Sequence, residues 1–288
     1  MTALDKLKQV SAFLKSKGIE DFAKEAEILI TETLHIDKSK LYSNSFEISE
    51  DTSKQIDALS ARRANGEPIQ HIIGHVDFYG LKIKVGQGVL IPRPETELLA
   101  EEVIKLFAVH PSPFNALDLC TGSGCLALAI AKHFPDARVY GVDISKDAIR
   151  YAKENAELNG IRNAIFLKGS LFEPLGQLLT HNSSLLTFDV IVSNPPYIRS
   201  GDIPNLQPEI NKWEPRNALD GGEDGLSYYR KILSDARRYL MPGGVIFLEI
   251  GEGQAEEVSA IAMQNGFYNI STIKDYAGIE RIVAVRSL

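Results

Sequence analysis

Cysteine is nearly absent from this chain: two in 288 residues, Cys120 and Cys125, in one apolar segment. That excludes a disulfide framework, and the pair lacks the spacing of a redox or metal motif. Both are expected to be packing residues in a reducing, cytoplasmic setting. No apolar run reaches the roughly 18 residues of a membrane-crossing helix. Met1–Val10 alternates charged and apolar residues and lacks the apolar core of a signal peptide. A basic excess is missing too. The formal net charge is −7, and residues 1–67 carry 10 Lys+Arg against 12 Asp+Glu. This argues against binding bare nucleic acid through phosphate neutralisation alone. His71 and His75 lie four apart in a Gly-containing, non-helical context with no partnering Glu, so no metal site is expected. There is no internal repeat and no low-complexity tract. With 44% hydrophobic residues the chain has ample material for a packed core.

The first 65 or so residues carry helical periodicity. Leu4, Leu7, Val10, Phe13 and Leu14 form one stripe, ended by Gly18. Asp21 is placed to cap a helix over Phe22–Leu34, with Ala23, Ala26, Ile30 and Leu34 inward. A short helix follows near Lys38–Tyr42. Ser49 or Asp51 caps another through Ile56, Leu59 and Arg63, with Arg62-Arg63 read as a solvated helix end. The period changes to two across Val76–Val85, which predicts a β-hairpin around Gly80. Pro94 suits the first turn of a helix over Glu95–Phe107. From Asn115 onward strands and helices alternate. Strands are expected at 116–120, 138–142, 164–167, 188–193 and 245–250, with helices at 125–133, 146–158, 226–240 and 254–264. A closing hairpin is expected near 270–274 and 281–285. This order predicts an α/β fold with a mostly parallel sheet and helices on both faces. Three segments are expected: a helical N-terminal domain over 1–67, a hairpin-containing linker over 68–93, and a catalytic domain over 94–288.

Two motifs carry chemistry. The first is Asp118-Leu-Cys-Thr-Gly-Ser-Gly at the end of the first strand of the alternating region. Gly122 and Gly124 allow a tight turn and close backbone approach to a ligand. Asp143 ends the next strand, where a carboxylate can accept both hydroxyls of a ribose. Ala127 nominally completes a dinucleotide fingerprint. A carboxylate at Asp118, however, repels a pyrophosphate and suits the ammonium of S-adenosylmethionine, which this loop therefore favours.

The second motif is Asn194-Pro195-Pro196-Tyr197, at the end of the strand Phe188–Ser193. Two prolines fix φ and remove two backbone donors. The Asn194 side-chain oxygen and the Pro195 carbonyl can both accept from one planar NH₂ group, and Tyr197 can pack its face on that group. An amide nitrogen is a poor nucleophile because its lone pair is delocalised. Two acceptors align it and favour the charge that develops on it, so positioning and electrostatics supply most of the rate. No strong general base is needed. The four residues specify a planar nitrogen, amide or amine.

Taken together the chain resembles the release-factor glutamine methyltransferases of the HemK/PrmC type. The likeness rests on Gly66-Glu-Pro-Ile-Gln, Phe78-Tyr-Gly, Leu90-Ile-Pro-Arg-Pro-Glu-Thr-Glu, Asp118–Gly124, Val142–Ser145 and Ser193–Ile198. Glu214-Pro-Arg-Asn-Ala-Leu-Asp-Gly-Gly, Asp224-Gly-Leu, Glu249-Ile-Gly and Ala277–Arg281 extend it, in order, over nearly the whole length. The resemblance implies a Rossmann-like S-adenosylmethionine methyltransferase sheet with a small N-terminal helical bundle joined by a β-hairpin. It implies methyl transfer to the side-chain nitrogen N5 of the glutamine in the Gly-Gly-Gln loop of peptide-chain release factors, with S-adenosylhomocysteine as product. Donor binding falls on Cys120, Thr121, Gly122, Ser123, Gly124, Asp143, Leu171 and Asn194, and substrate binding on Asn194, Pro195, Pro196 and Tyr197. Asn194, Pro195 and Tyr197 are the implied catalytic residues. Arg93, Thr96 and Glu97 would form a supporting wall. A cytoplasmic monomer is expected, with a release factor as protein partner and no direct contact with nucleic acid or membrane. Three departures stand out: Cys120 replaces a frequent glycine, His71 a usual tyrosine, and Ser170 a frequent aspartate beside the adenine. The competing readings are methylation of an exocyclic amino group of adenine or guanine in nucleic acid, a non-catalytic donor-holding module, and a dehydrogenase.

Overall fold

The computed structural model describes residues 1–43, 46–108, 113–177 and 186–287. They divide into two compact units, residues 1–75 with 207–213 and residues 76–206 with 214–288.

The first unit is helical: α1 (Ala3–Ser16), α2 (Phe22–Leu34), α3 (Lys38–Leu41), α4 (Glu50–Ala64), α5 (Ile69–Ile73) and a short helix over Pro208–Trp213. Thr2 opens α1 with a capping box, accepting from the Asp5 N–H while the Asp5 carboxylate receives the Thr2 N–H. Ser49 caps α4 by accepting from the Thr52 N–H at 3.1 Å. Asp21 occupies the cap position of α2 but makes no side-chain cap bond. Leu7, Val10 and Leu14 pack with Ala26, Leu29, Ile30, Leu41, Ile56 and Ile69. Two expected core positions fall outside: Phe13 is 37% exposed and Ala23 is exposed. The inward stripe of α2 runs through 26, 29 and 30, rotated from the 23-26-30 set, so Leu29 takes the place expected of Ala23.

Arg63 corrects the expectation of a solvated helix end. Its side chain is 4% exposed and its guanidinium reaches Glu25 at 2.5 Å and Glu209 at 2.6 Å. Arg62 instead pairs with Glu67. Arg63→Ala is expected to destabilise this unit by about 2 kcal/mol or more. That is below the full cost of breaking a buried pair because both carboxylates reach solvent in part. A urea midpoint unchanged from wild type in the unfolding of the helical unit would contradict this.

The second unit opens with the hairpin β1 (His75–Phe78) and β2 (Leu81–Lys84). Its turn places Tyr79 at φ 46° and Gly80 at φ 72°, both left-handed, which matches the twist of a two-residue hairpin. The main sheet has seven strands in the order β5-β4-β3-β6-β7-β9-β8. These are β3 (Asn115–Leu119), β4 (Arg138–Asp143), β5 (Ala164–Lys168), β6 (Phe188–Ser193), β7 (Leu240–Glu249), β8 (Tyr268–Lys274) and β9 (Glu280–Arg286). Strands β3 to β7 pair in parallel, whereas β9 runs antiparallel to both β7 and β8. Successive residues serve opposite faces. Ala116, Val139, Val190 and Val192 pack under the hairpin, α6 (Glu97–Ala108), α7 (Cys125–His133) and α8 (Lys146–Leu158). Leu117, Leu119, Val142 and Ile191 pack against α9 (Ser227–Ala236) and α10 (Ala255–Gln264).

One stretch differs from the sequence expectation. The helix expected to reach Leu240 stops at Ala236, because the chain turns over 237–239 and Leu240 begins β7. The Phe188 N–H donates to the Tyr239 carbonyl, and Phe188 pairs with Leu240 before the register slips to Val190 opposite Val245. Met241–Gly244 is thus an insertion within the ladder rather than a turn ahead of it.

Candidate active site

Strand β3 lies between β4 and β6, so the chain leaves it on one side and returns on the other. Loops diverge at the carboxyl ends of such strands and open a crevice between them. A cleft of about 920 Å³ lies there. Its wall includes Cys120, Thr121, Gly122, Ser123, Asp143, Leu171, Asn194 and Pro196. Gly124, Pro195 and Tyr197 are off that wall. Gly124 sits at φ 80° where a Cβ would lie 2.9 Å from the Ala152 Cβ, so it serves the packing of α7 on α8. Pro195 is buried, and Tyr197 lines a neighbouring hollow with Arg199, Asp202 and Gln254.

The turn after β3 is held by carboxylates. Asp118 is 2% exposed and accepts from the Thr121 hydroxyl at 2.5 Å and the Ala127 N–H at 3.2 Å. Burial pushes its carboxyl up to about 7, against those two bonds. Asp143 accepts from the Gly122 N–H at 2.9 Å and the Ser145 N–H at 2.8 Å. Burial raises its carboxyl as well. Asp143 therefore braces the glycine loop before any ligand is present. Asn155, fully buried, donates to the Ser123 carbonyl and exchanges bonds with both backbone groups of Lys84, which ties the loop to the hairpin.

At the far side, the Asn194 NH₂ donates to the Thr96 hydroxyl at 3.0 Å. No group among the described residues donates to the Asn194 side-chain oxygen or the Pro195 carbonyl. The segment is threaded between glycines. A Cβ on Gly221 would lie 2.8 Å from the Pro196 carbonyl oxygen and from the Tyr197 Cα. One on Gly225 would lie 2.5 Å from the Tyr197 carbonyl oxygen. The Ile198 N–H donates to Leu219, the Gly221 N–H to Ile198, and the Gln254 amide to the Tyr197 carbonyl.

Several wall residues had no assigned role in the sequence reading: Gly88, Val89, Pro215, Asn217 and Tyr228. Gly88 and Val89 carried only the glycine- and proline-rich composition of 86–92, Pro215 and Asn217 only their place in the Glu214–Gly222 motif, and Tyr228 no signal at all. Arg93 reaches Glu214 at 2.6 Å, and that carboxylate is 1% exposed, so the pair fastens these two loops together. Glu97 points elsewhere and accepts from the Tyr79 N–H in the hairpin turn.

Comparison with known proteins decides the family. Residues 112–278 match the family model described as a methyltransferase domain, and residues 5–74 match the PrmC N-terminal domain. The release factor glutamine methyltransferase of Thermodesulfovibrio yellowstonii is 46% identical over 290 residues, covering 99% of this chain and 98% of its own. That of Geobacter sulfurreducens is 44% identical over 275 residues, covering 95% and 93%. The chain belongs to the release factor glutamine methyltransferase family. A solved methyltransferase from Pyrococcus furiosus shares the fold, with a TM-score of 0.51 at 22% identity over 72% of this chain and 89% of that one.

The backbone gives one of the three departures a physical setting. Cys120 sits at φ 59°, a left-handed conformation that a glycine would adopt without strain. Its thiol is pushed up by burial, so it is no nucleophile at neutral pH. His71 is buried, as a packing residue would be. Ser170 keeps a backbone role, its N–H donating to Glu173.

Proposed function

We propose that this enzyme transfers a methyl group from S-adenosylmethionine to the side-chain amide nitrogen of the glutamine in the Gly-Gly-Gln loop of peptide-chain release factors. The observation that carries this is the pair of open acceptors, Asn194 and Pro195, beside the cleft at the strand ends in a member of this family. The cleft fits the donor on its own chemistry. It has buried carboxylates at the strand ends, a glycine turn with room for close approach, and apolar walls from Val89, Leu126 and Leu171. Cys120–Gly124, Asp143, Leu171 and Asn194 would hold the donor, with Gly124 acting through the shape of the turn. When bound, the donor supplies an electrophilic methyl group on a sulfonium.

The chain's own residues do the rest. The Asn194 side-chain oxygen and the Pro195 carbonyl accept the two N–H groups of the substrate amide. They fix its plane and favour positive charge on its nitrogen. Tyr197 supports the amide face. Residues 1–67 serve as the docking domain for the protein substrate, 68–93 as the linker and 94–288 as the catalytic domain. The enzyme works as a cytoplasmic monomer.

Asp118 makes donor binding depend on pH. Its carboxyl lies at about 7 in the free protein because it is buried. A bound ammonium favours the ionised form, so binding below that value expels a proton. Affinity is then expected to rise up to ~10-fold per pH unit from pH 5.5 and to level off above about 7. Calorimetry across this range checks it, and Asp118→Asn should bind more weakly with a flat profile. A pH-independent wild-type affinity would contradict the assignment.

The function itself is tested by incubating the protein with methyl-labelled donor and a release factor. Label should enter the release factor and vanish when the loop glutamine is changed to alanine. Label in DNA or RNA instead would establish the nucleic-acid reading. Donor bound without any transfer would leave the holding module.

A further inference from the structure

The NH₂ and oxygen ends of Asn194 are nearly the same shape, so something must decide which one faces the substrate. Among the described residues its NH₂ donates to the Thr96 hydroxyl, and a hydroxyl can either accept or donate. If Thr96 accepts, the Asn194 oxygen faces outward and can receive an amide N–H. If Thr96 turns its proton toward Asn194, the amide flips and presents NH₂ to the substrate's NH₂, donor against donor.

Glu249 resolves this choice. It ends β7, one residue beyond Leu248, which pairs with Ser193, and so lies beside Asn194. It is 2% exposed. Its Oε2 is buried with no hydrogen-bond partner, and the Thr96 hydroxyl and the Asn194 amide lie close enough to lower its carboxyl. An ionised carboxylate only accepts. It therefore favours the rotamer in which the Thr96 proton turns toward it, which leaves the Thr96 oxygen to accept from Asn194.

We propose that Glu249 is a positioning residue that, through Thr96, holds the Asn194 amide with its oxygen toward the substrate. The chain of bonds also polarises the Asn194 oxygen and strengthens it as an acceptor. This rests on the methyl-transfer reading for its kinetic consequence, but the amide orientation stands without it. The groups facing Glu249 are Glu95, Arg281, Tyr197, Tyr229 and Cys125, besides Thr96 and Asn194. Burial pushes its carboxyl up to about 7 against the pull of Thr96, Arg281 and Asn194. The ionised form therefore predominates above about pH 7.

Two measurements on the full chain test this. In wild type the Asn194 side-chain NH₂ pair, assigned in NMR spectra by its loss in Asn194→Asp, should be protected from hydrogen exchange. Protection should disappear in Glu249→Leu and in Thr96→Val and survive in Thr96→Ser. This readout needs no turnover, so it separates failure of the inference from failure of the proposed reaction. In label-transfer kinetics at saturating donor, Glu249→Leu and Thr96→Val should each lose at least ~30-fold in kcat with donor affinity retained. The double variant should be no worse than either single one, since both break one chain. Thr96→Ser should restore most of the rate. Wild-type kcat should rise with pH through about 7, and Glu249→Gln should remove that limb. An unprotected Asn194 amide in wild type, unaltered protection in Glu249→Leu, or losses that multiply in the double variant would overturn the proposal.

Discussion

Asn194→Ala is expected to lower turnover at least ~100-fold while donor binding largely persists, the pattern of a contact that matters most in the transition state. The reason lies in what the side chain does and does not hold. Asn194 borders the cleft, but the glycine loop is braced by Asp143 and by the Asp118–Thr121 bond, neither of which involves Asn194. Removing the amide leaves that cradle in place. On the proposed reading it also removes one of two acceptors for the substrate amide, and with it the control of the nitrogen's orientation. Truncation leaves the Thr96 hydroxyl without the NH₂ donor it accepts from, a stability cost of about 1 kcal/mol. Calorimetry for donor binding, run beside single-turnover label transfer, separates the two effects. Turnover within tenfold of wild type would remove Asn194 from the chemistry.

Gly221→Ala is expected to be nearly as damaging, although the new methyl group enters no ligand site. The added Cβ would meet the Pro196 carbonyl oxygen, the Tyr197 Cα and the Gly225 carbonyl oxygen, all between 2.8 and 2.9 Å. These are backbone atoms, so relief requires the Pro-Pro-Tyr segment to shift as a whole. A displacement of about 1 Å at reacting groups can cost ~100-fold in rate, and overpacking costs about 1–3 kcal/mol in stability. Gly201→Ala is the matched control, because a Cβ there meets nothing within 4 Å. It should leave rate and stability near wild type. Equal rates for the two alanine variants would mean that the segment tolerates displacement and that its placement is not critical.

The regular framework was legible because it is punctuated. Gly124, Ser145 and Gly160 mark the limits of α7 and α8, and both helices begin and end where the sequence placed them. The five-residue α5 and the helix Pro208–Trp213 escaped because neither completes two turns, too little for a period to register. The methyltransferase fold and its family were readable from the ordered motifs. The bonding inside the cleft was not. Asp118 read as a charge facing the ligand; it does line the cleft, but one of its oxygens also accepts from Thr121 and Ala127, which only the turn brings near. Arg63 read as solvated because its partner Glu209 is 146 positions away. Glu249 carried no chemical signal, since its neighbours come from strand pairing and from Thr96, itself 98 positions from Asn194.

Asn155 makes the hairpin and the glycine turn a single mechanical part. One side chain clasps Lys84 by both its backbone groups and Ser123 by its carbonyl. The strand Leu81–Lys84 cannot be drawn outward without loading the floor of the cleft. The hairpin is thus a lever arm whose short end is the glycine turn, and strain applied along the chain at that arm reaches the turn through the Asn155 amide.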